Sequence, residues 1–443
     1  MRIPRAMALR ASSWKLSDGG AALRGLTRRD LMKTVTVAGG AVVFAGYGRS
    51  TRATAQEKIR LTQWYHQYGE AGTQEAAQRY AEEYTTVNPN VEVEMVWVPG
   101  DYAGTVLPAA LLTDDGPDVF EGGPTVAMVQ ANQIAPLDDL FTPEVVADFH
   151  PNDITAATID GKIYSVKMVN DTGLLYHRKS ILEEAGVQPP TTMDELLAAT
   201  KALDTGRVKG LFLGNDGGIT ALLNIAPWSA GADFLVDNQI VFDTPRTVLA
   251  YEKVRELNAS GGLLIGAPTD WWDPSAFTQG LSAMQWTGLW AMPGIKAALG
   301  EDFGITAWPA LDAEGTPATF WGGWATMVNA KSPNLEAAKQ FAKWLWIDNT
   351  ADQQDWNLSY GFHVPPRLSA AASAEPLKAP PASDAVTLFA DHGKILPPQW
   401  TAAMGTTLTT ALSNIVKNNA DAAAEVTAAA EACKKELAAM SGA

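Results

Sequence analysis

The chain has 443 residues and a formal net charge of −16, from 33 Lys and Arg against 49 Asp and Glu. That length predicts two domains or more with ample core, and the acidity argues against phosphate backbones and anionic membrane surfaces as partners. Cys433 is the only cysteine, which excludes an intramolecular disulfide and a thiolate metal site.

Residues 1–55 read as a leader that is removed. Thr27-Arg28-Arg29-Asp30-Leu31-Met32-Lys33 is a twin-arginine export signature. The apolar run that follows, residues 35–44, is too short to span a bilayer. Ala53-Thr54-Ala55 supplies a small-residue cleavage pattern, so maturation is expected before Gln56. No cysteine follows the apolar run, so no lipid anchor is expected there. The leader carries ten Lys and Arg and two Asp and Glu, leaving 23 basic and 47 acidic residues, a net of −24. The expected product is a soluble protein exported through the twin-arginine route, periplasmic or extracellular, and not lipid-anchored.

From Ile59 strands and helices alternate. Residues 59–64 form a strand that runs into a loop at 65–72. Ala76, Ala77, Tyr80, Ala81, Tyr84 and Val87 then recur at helical spacing up to Asn88-Pro89-Asn90. Val91, Val93, Met95 and Trp97 alternate with Glu92 and Glu94 as a second strand, with Trp97 on its core side. A short strand, Asp118-Val119-Phe120, follows Asp114-Asp115-Gly116-Pro117, which reads as a turn rather than a calcium loop because the later glutamate is missing. Single helices between strands imply right-handed crossovers and a largely parallel sheet. Ligands sit at the carboxyl ends of such strands, which puts residues 64–67 and 121–124 on one rim.

A second unit opens near Asp160-Gly161-Lys162 and the strand at 173–177. Thr192-Met193-Asp194-Glu195 is a capping box for a helix that buries Met193, Leu196, Leu197, Thr200 and Leu203. Residues 211–218 are a strand ending in a polar glycine loop. Ser332-Pro333 caps a helix with Leu335, Ala338, Phe341, Ala342 and Leu345 on one face, and Trp344 and Trp346 pack beside it. Residues 421–440 form an alanine-rich helix.

Catalytic motifs are missing. There is no Gly-x-Ser-x-Gly elbow, no Walker loop and no Gly-x-Gly-x-x-Gly opening a helix. The five histidines, His66, His150, His177, His363 and His392, show no metal-ligand spacing. Neither a cofactor nor a metal is expected. The most informative stretch is 271–324, which holds seven of the fifteen tryptophans. Core filling explains any one of these rings. Their position beside Gly288, Gly322 and Gly323 favours a surface that something approaches closely.

Several blocks, in order, carry a family resemblance: Asp115-Gly-Pro-Asp-Val-Phe120, Asp160-Gly-Lys-Ile-Tyr164, Pro189-Pro-Thr-Thr-Met-Asp-Glu-Leu196, Ala276-Phe-Thr-Gln-Gly-Leu-Ser-Ala-Met284 with Gly288-Leu-Trp290, Ala330-Lys-Ser-Pro-Asn-Leu-Glu-Ala-Ala-Lys339, and Gly393-Lys-Ile-Leu-Pro397. Together they resemble the extracellular sugar-binding proteins of ABC importers, the group of maltose-binding protein. The resemblance implies an α/β, two-lobe periplasmic-binding-protein fold, type II-like, with the ligand cleft between the lobes. Three hinge crossings are expected near residues 166–170, 320–324 and 370–375. Lobe 1 would comprise 56–168 and 323–372, and lobe 2 would comprise 169–322 and 373–443.

The resemblance also implies roles. Trp290 matches a position that stacks on sugar, Asn170 a hinge-side polar contact, and Trp64, Tyr65 and His66 the loop after the first strand. Trp400 lies near another stacking position. A sugar needs aromatic plates and a few convergent polar groups. Trp228, Trp286, Trp290 and Trp321 suit the first role, with Gly322 allowing close approach; Asp171, Glu121, Asn170 and His66 suit the second. Two departures make maltose itself doubtful as ligand: Glu121-Gly122-Gly123 replaces an aromatic continuation, and Asn215-Asp216-Gly217-Gly218 has no aromatic.

The expected function is a monomeric, non-enzymatic binding subunit that delivers a sugar or oligosaccharide to the transmembrane subunits of an ABC permease. The alternatives are a secreted carbohydrate-active enzyme, with Glu121 and Asp171 as its carboxylates, and a binding protein for a non-sugar solute such as a polyamine.

Overall fold

The computed structural model describes residues 58–113 and 116–440. The export signature, the cleavage pattern and the Asp114-Asp115 turn lie outside the described residues.

In chain order the strands that build the two sheets and their junction are β1 (Ile59–His66), β2 (Val91–Val98), β3 (Val119–Gly122), β4 (Val166–Lys167), β5 (Gly173–His177), β6 (Lys209–Phe212), β7 (Ser282–Gly288), β8 (Gly304–Thr306), β9 (Thr319–Phe320), β10 (Ala325–Val328) and β11 (Gly393–Lys394). The first sheet runs β2-β1-β3-β10-β4 and the second β8-β5-β7-β6, while β9 pairs only with β11. Each sheet is covered on both faces, so the molecule has two lobes. Side chains alternate across β1: Leu61 and Tyr65 enter one core with Val119, Val166 and Val328, and Trp64 leans into the opposite one with Phe120 and Met327. In the second sheet Leu175, Leu211 and Met284 face one core, and Leu174 and Tyr176 face the other.

The local chemistry accounts for the helices. The helix Thr73–Val87 buries Ala76, Ala77, Tyr80, Ala81 and Tyr84, though Val87 at its end is 60% exposed. Thr192 and Glu195 form the expected capping box at the start of Met193–Ala202. The helix Leu335–Lys343 takes Asn334 as its N-cap, two residues after the expected Ser332; the Ser332 hydroxyl instead donates to Asp118 at 2.5 Å. The last two helices, Ala402–Lys417 and Ala422–Met440, close the second lobe's core. Cys433 lies inside it, where burial pushes the thiol up to about 11.

The sheets are mixed rather than largely parallel. β1 is parallel to β2 and β3, but β10 is antiparallel to both β3 and β4. In the second sheet β7 is parallel to β6 and antiparallel to β5. The crossover rule fails at β5 and β10 because these strands are reached from the other lobe, not through a helix packed on their own sheet. Asp160-Gly161 also does not open the second lobe. Both residues have positive φ, 48° and 76°, and they turn a hairpin that puts Ile159 and Tyr164 into the first lobe's core.

The chain crosses between β4 and β5 and again between β9 and β10. A third passage lies between Leu368–Ala372, held to Asp148 of the first lobe through its cap Arg367 and its own Ser369, and Ala382–His392, which packs in the second.

Candidate functional site

The first lobe's wall is the carboxyl end of β1 beside that of β3. Alternation turns Tyr65 into the core, where it is wholly buried and stacks on Trp97 with centroids 5.1 Å apart. Trp64 is half-buried against the opposite core. His66 is the residue of this trio left at the rim, with 23% of its side chain exposed. Its backbone N–H and Nδ1 both meet one oxygen of Glu121, and the Tyr68 hydroxyl donates to the other at 2.7 Å. Glu121 is wholly buried. Both oxygens of its carboxylate are met by protein donors. Burial, and then the Glu121 charge, push the Tyr68 phenol well above its usual range, so it remains a donor.

The hinge residues are likewise committed to one another. Asn170 exchanges backbone hydrogen bonds with Val364 at 3.0 and 2.8 Å, and its side-chain amide donates to Asp153 at 2.7 Å. Asp153 also accepts from the Trp321 indole at 2.9 Å. Trp321 is packed against Phe389, centroids 3.8 Å apart, and His150, 4.1 Å. Those contacts occupy its ring, so it is a hinge residue at the pocket's edge rather than a free plate. Gly322 receives the Lys167 ammonium on its carbonyl at 2.8 Å and bridges Asp171 through the backbone.

Asp171 is paired to His363 at 2.7 Å, and His363 reaches Glu70 at 3.5 Å. Burial alone would push His363 down, but the Asp171 and Glu70 carboxylates outweigh it and raise the imidazole to about 10. Asn170 and Asp171 thus tie the crossings together; both are at least nine-tenths buried, and the Asn170 side-chain oxygen has no hydrogen-bond partner among the described residues.

The second lobe supplies the concavity. A pocket of about 360 Å³ is lined by Thr220, Ala221, Asn224, Ile225, Trp228, Trp271, Phe320, Trp321, Lys394, Ile395 and Leu396. Trp271 and Trp290 meet edge-on at 6.0 Å, and Trp290 lies 6.4 Å from Phe320. The Trp290 indole is anchored on the Trp272 carbonyl at 3.0 Å, and Trp272 itself is 50% exposed. The side-chain oxygen of Asn224 is buried without a hydrogen-bond partner among the described residues.

Two of the expected plates are elsewhere. Trp286 is wholly buried and perpendicular to Trp308 at 5.6 Å; it points inward from a strand covered on both faces. Trp400 is edge-on to Phe234 and Phe242, 5.3 and 6.0 Å away, within the packing of the terminal helices. The glycines also serve another purpose than expected. A Cβ on Gly288 would collide with the Trp290 ring, one on Gly173 with Trp286, and one on Gly322 with Phe320. They admit the protein's own rings.

Sequence reasoning missed Tyr68, Thr220, Asn224, Phe320 and Lys394 as pocket or wall residues. Lys394 stood inside a motif already singled out, 393–397, Phe320 at the expected crossing 320–324 and Tyr68 in the loop 65–72; Thr220 and Asn224 carry no local signal. Among the described residues no group of three or more His, Cys, Asp or Glu could hold a metal ion, and no helix is long and apolar enough to cross a membrane.

Comparison with known proteins identifies the architecture. The family model for bacterial extracellular solute-binding proteins matches residues 70–345. The multiple sugar-binding protein of Streptococcus mutans is 22% identical over 323 residues, covering 69% of this chain and 75% of that protein. A solute-binding protein of an ABC transporter from Thermotoga lettingae, solved with alpha-D-tagatose, superposes with a TM-score of 0.74 at 22% identity, covering 86% of this chain and 100% of the other. The cyclic alpha-maltosyl-1,6-maltose binding protein of Arthrobacter globiformis does so with a TM-score of 0.67 at 25% identity, covering 86% and 99%. With its two mixed sheets, its three crossings and its pocket beside them, the chain belongs to the bacterial extracellular solute-binding proteins, the capture subunits of ABC importers.

Proposed function

We propose that the ligand is a sugar or oligosaccharide, bound without turnover and passed to the transmembrane subunits of a permease. The observation that carries this reading is the pocket walled by Trp228, Trp271 and Phe320, with Trp290 behind it and the unpartnered Asn224 side-chain oxygen beside it. Aromatic faces suit the apolar C–H faces of a pyranose, and a small number of fixed polar groups suits its hydroxyls. The two residues that an enzyme would need as a free carboxylate pair, Glu121 and Asp171, are each held by a histidine.

In this reading the lobes, 56–168 with 323–372 and 169–322 with 373–443, close on the ligand about the crossings, as periplasmic binding proteins do. The mature chain acts as a monomer. Its export by the twin-arginine route without a lipid anchor rests on Arg28-Arg29 and on the lack of cysteine after the apolar run.

The test is a thermal-shift panel of maltose, mannotriose, tagatose and spermidine, with chromatography of each sugar after incubation. A sugar at about 100 times its dissociation constant should add roughly 2.7 kcal/mol and be recovered intact. Recovery of cleavage products supports the enzyme alternative, and a shift with spermidine alone supports the non-sugar one.

A further inference from the structure

The geometry points to Trp272 as an outer platform for the ligand, and so to an oligosaccharide that extends past the pocket rather than a sugar enclosed by it. The inference rests on the sugar-binding reading and deepens it, by giving the length class of the ligand and the residue that reads it.

Trp272 stands apart from the other described tryptophans. Each of the others packs in or against one of the four apolar cores. Trp272 belongs to none of them, and it is 50% exposed. A single apolar side chain on a surface is ordinary and by itself calls for no explanation. What distinguishes this one is the rigidity of its base and its place at the pocket's edge.

The base is pinned from two sides. The carbonyls of Trp271 and Asp273 both accept from the Gln285 amide, at 3.2 and 2.8 Å. The Trp272 carbonyl between them accepts from the Thr287 hydroxyl at 3.3 Å and from the Trp290 indole at 3.0 Å. Gln285 and Thr287 are wholly buried members of β7. Opposite them, Asp270 takes the Trp271 N–H at 2.8 Å, and the Asn215 side chain makes four bonds to the backbone of Gly266, Ala267 and Thr269. All these bonds go to the backbone of the turn, so the Trp272 indole is not what holds it. A fixed backbone presents an exposed ring to a ligand at little further cost in ordering.

The pocket begins one residue away. Trp271 lines it, and Trp290, anchored on the Trp272 carbonyl, meets Trp271 edge-on at 6.0 Å. Its volume of about 360 Å³ is near the lower end of the about 300–1,000 Å³ found for small-molecule sites. A short sugar fits inside, and a longer one must run out over the edge. Trp272 is not among the lining residues. Its unpartnered ring supplies the next flat apolar face for a pyranose beyond Trp271.

The test varies ligand length. Trp272→Ala removes the ring and keeps the carbonyl, so the anchors of the turn remain; Trp272→Phe restores a smaller flat face. Parent and variants are titrated with malto- and manno-oligosaccharides of two to six units, and with tagatose. Parent affinity should rise with length until one unit covers Trp272. Trp272→Ala should melt like the parent, bind the shortest ligand equally well, and lose about threefold to tenfold on the longer ones. Trp272→Phe should recover part of that loss. Long ligands should also change the parent's tryptophan fluorescence more than short ones, and the extra change should vanish in Trp272→Ala.

An equal loss at every length makes Trp272 a support of the pocket and overturns the inference. Unchanged affinity at every length also overturns it and leaves the ring to a protein partner. Binding of tagatose with neither oligosaccharide series overturns it as well. In all three cases the sugar reading stands. If no sugar shifts the melting temperature, the sugar reading itself fails, and the outer platform falls with it.

Discussion

Asp153 accepts hydrogen bonds from Asn170 in the first crossing and Trp321 in the second, and His363 joins Asp171 to Glu70. At this scale a residue's role is decided by whether its polar atoms and ring faces are already used. Trp271 and Trp286 make the contrast measurable. Trp271 lines the pocket, so Trp271→Ala should weaken sugar binding about 10- to 30-fold with little change in melting, read by calorimetric titration. Trp286 is wholly buried, so Trp286→Ala should cost about 3–5 kcal/mol in urea denaturation while the folded fraction keeps its affinity.

His363 gives a pH prediction. Its imidazole is raised from 6.5 to about 10, so its ion pairs contribute fully below about pH 6.5 and are lost as the pH rises through 10. His363→Gln should be destabilised by about 3–5 kcal/mol near neutral pH, because Asp171 and Glu70 are left buried without their cation. Between pH 7 and 10 the gap between parent and variant, followed by urea midpoints, should narrow. A constant gap would show that the pair does not titrate with folding.

Elements were the most legible part of the chain. The periodicity at 73–87, the alternation at 91–98 and the Thr192–Glu195 capping box all appear where the local pattern puts them. Such features depend on residues within one or two turns of each other, which is the range over which hydrogen-bond geometry and side-chain spacing act. Thr192→Ala should therefore cost about 1 kcal/mol, read from the urea midpoint, and leave sugar affinity unchanged. Strand direction was not legible at this scale. β10 comes back antiparallel to β3 because it enters from the second lobe, and nothing within its four residues records where the chain has been.

For the whole molecule, charge and architecture meet at the cleft. Over residues 56–443 the chain carries a net of −24, yet the pocket walls are mostly aromatic and aliphatic, with Lys394 the one charged residue among the described residues that line it. A neutral sugar should feel little of that charge. Raising salt from about 50 mM to about 500 mM should change sugar affinity less than twofold, whereas a polyamine drawn in by the acidic surface should lose about tenfold or more. Isothermal titration at the two salt concentrations decides between them.

The amino-acid sequence by itself determined the alternation of strands and helices, the lack of metal or nucleophile motifs, and a tryptophan-rich stretch between 271 and 324. It did not sort those tryptophans. Trp286 is enclosed by Trp308, Phe320 and Gly173, contributed from three other segments, and Trp321 is held by Asp153, more than 160 residues earlier. Nor could it show that Glu121 is spent on His66 and Tyr68. Exposure of a ring or a carboxylate depends on which distant segments fold over it, and only the assembled lobes and crossings decide that.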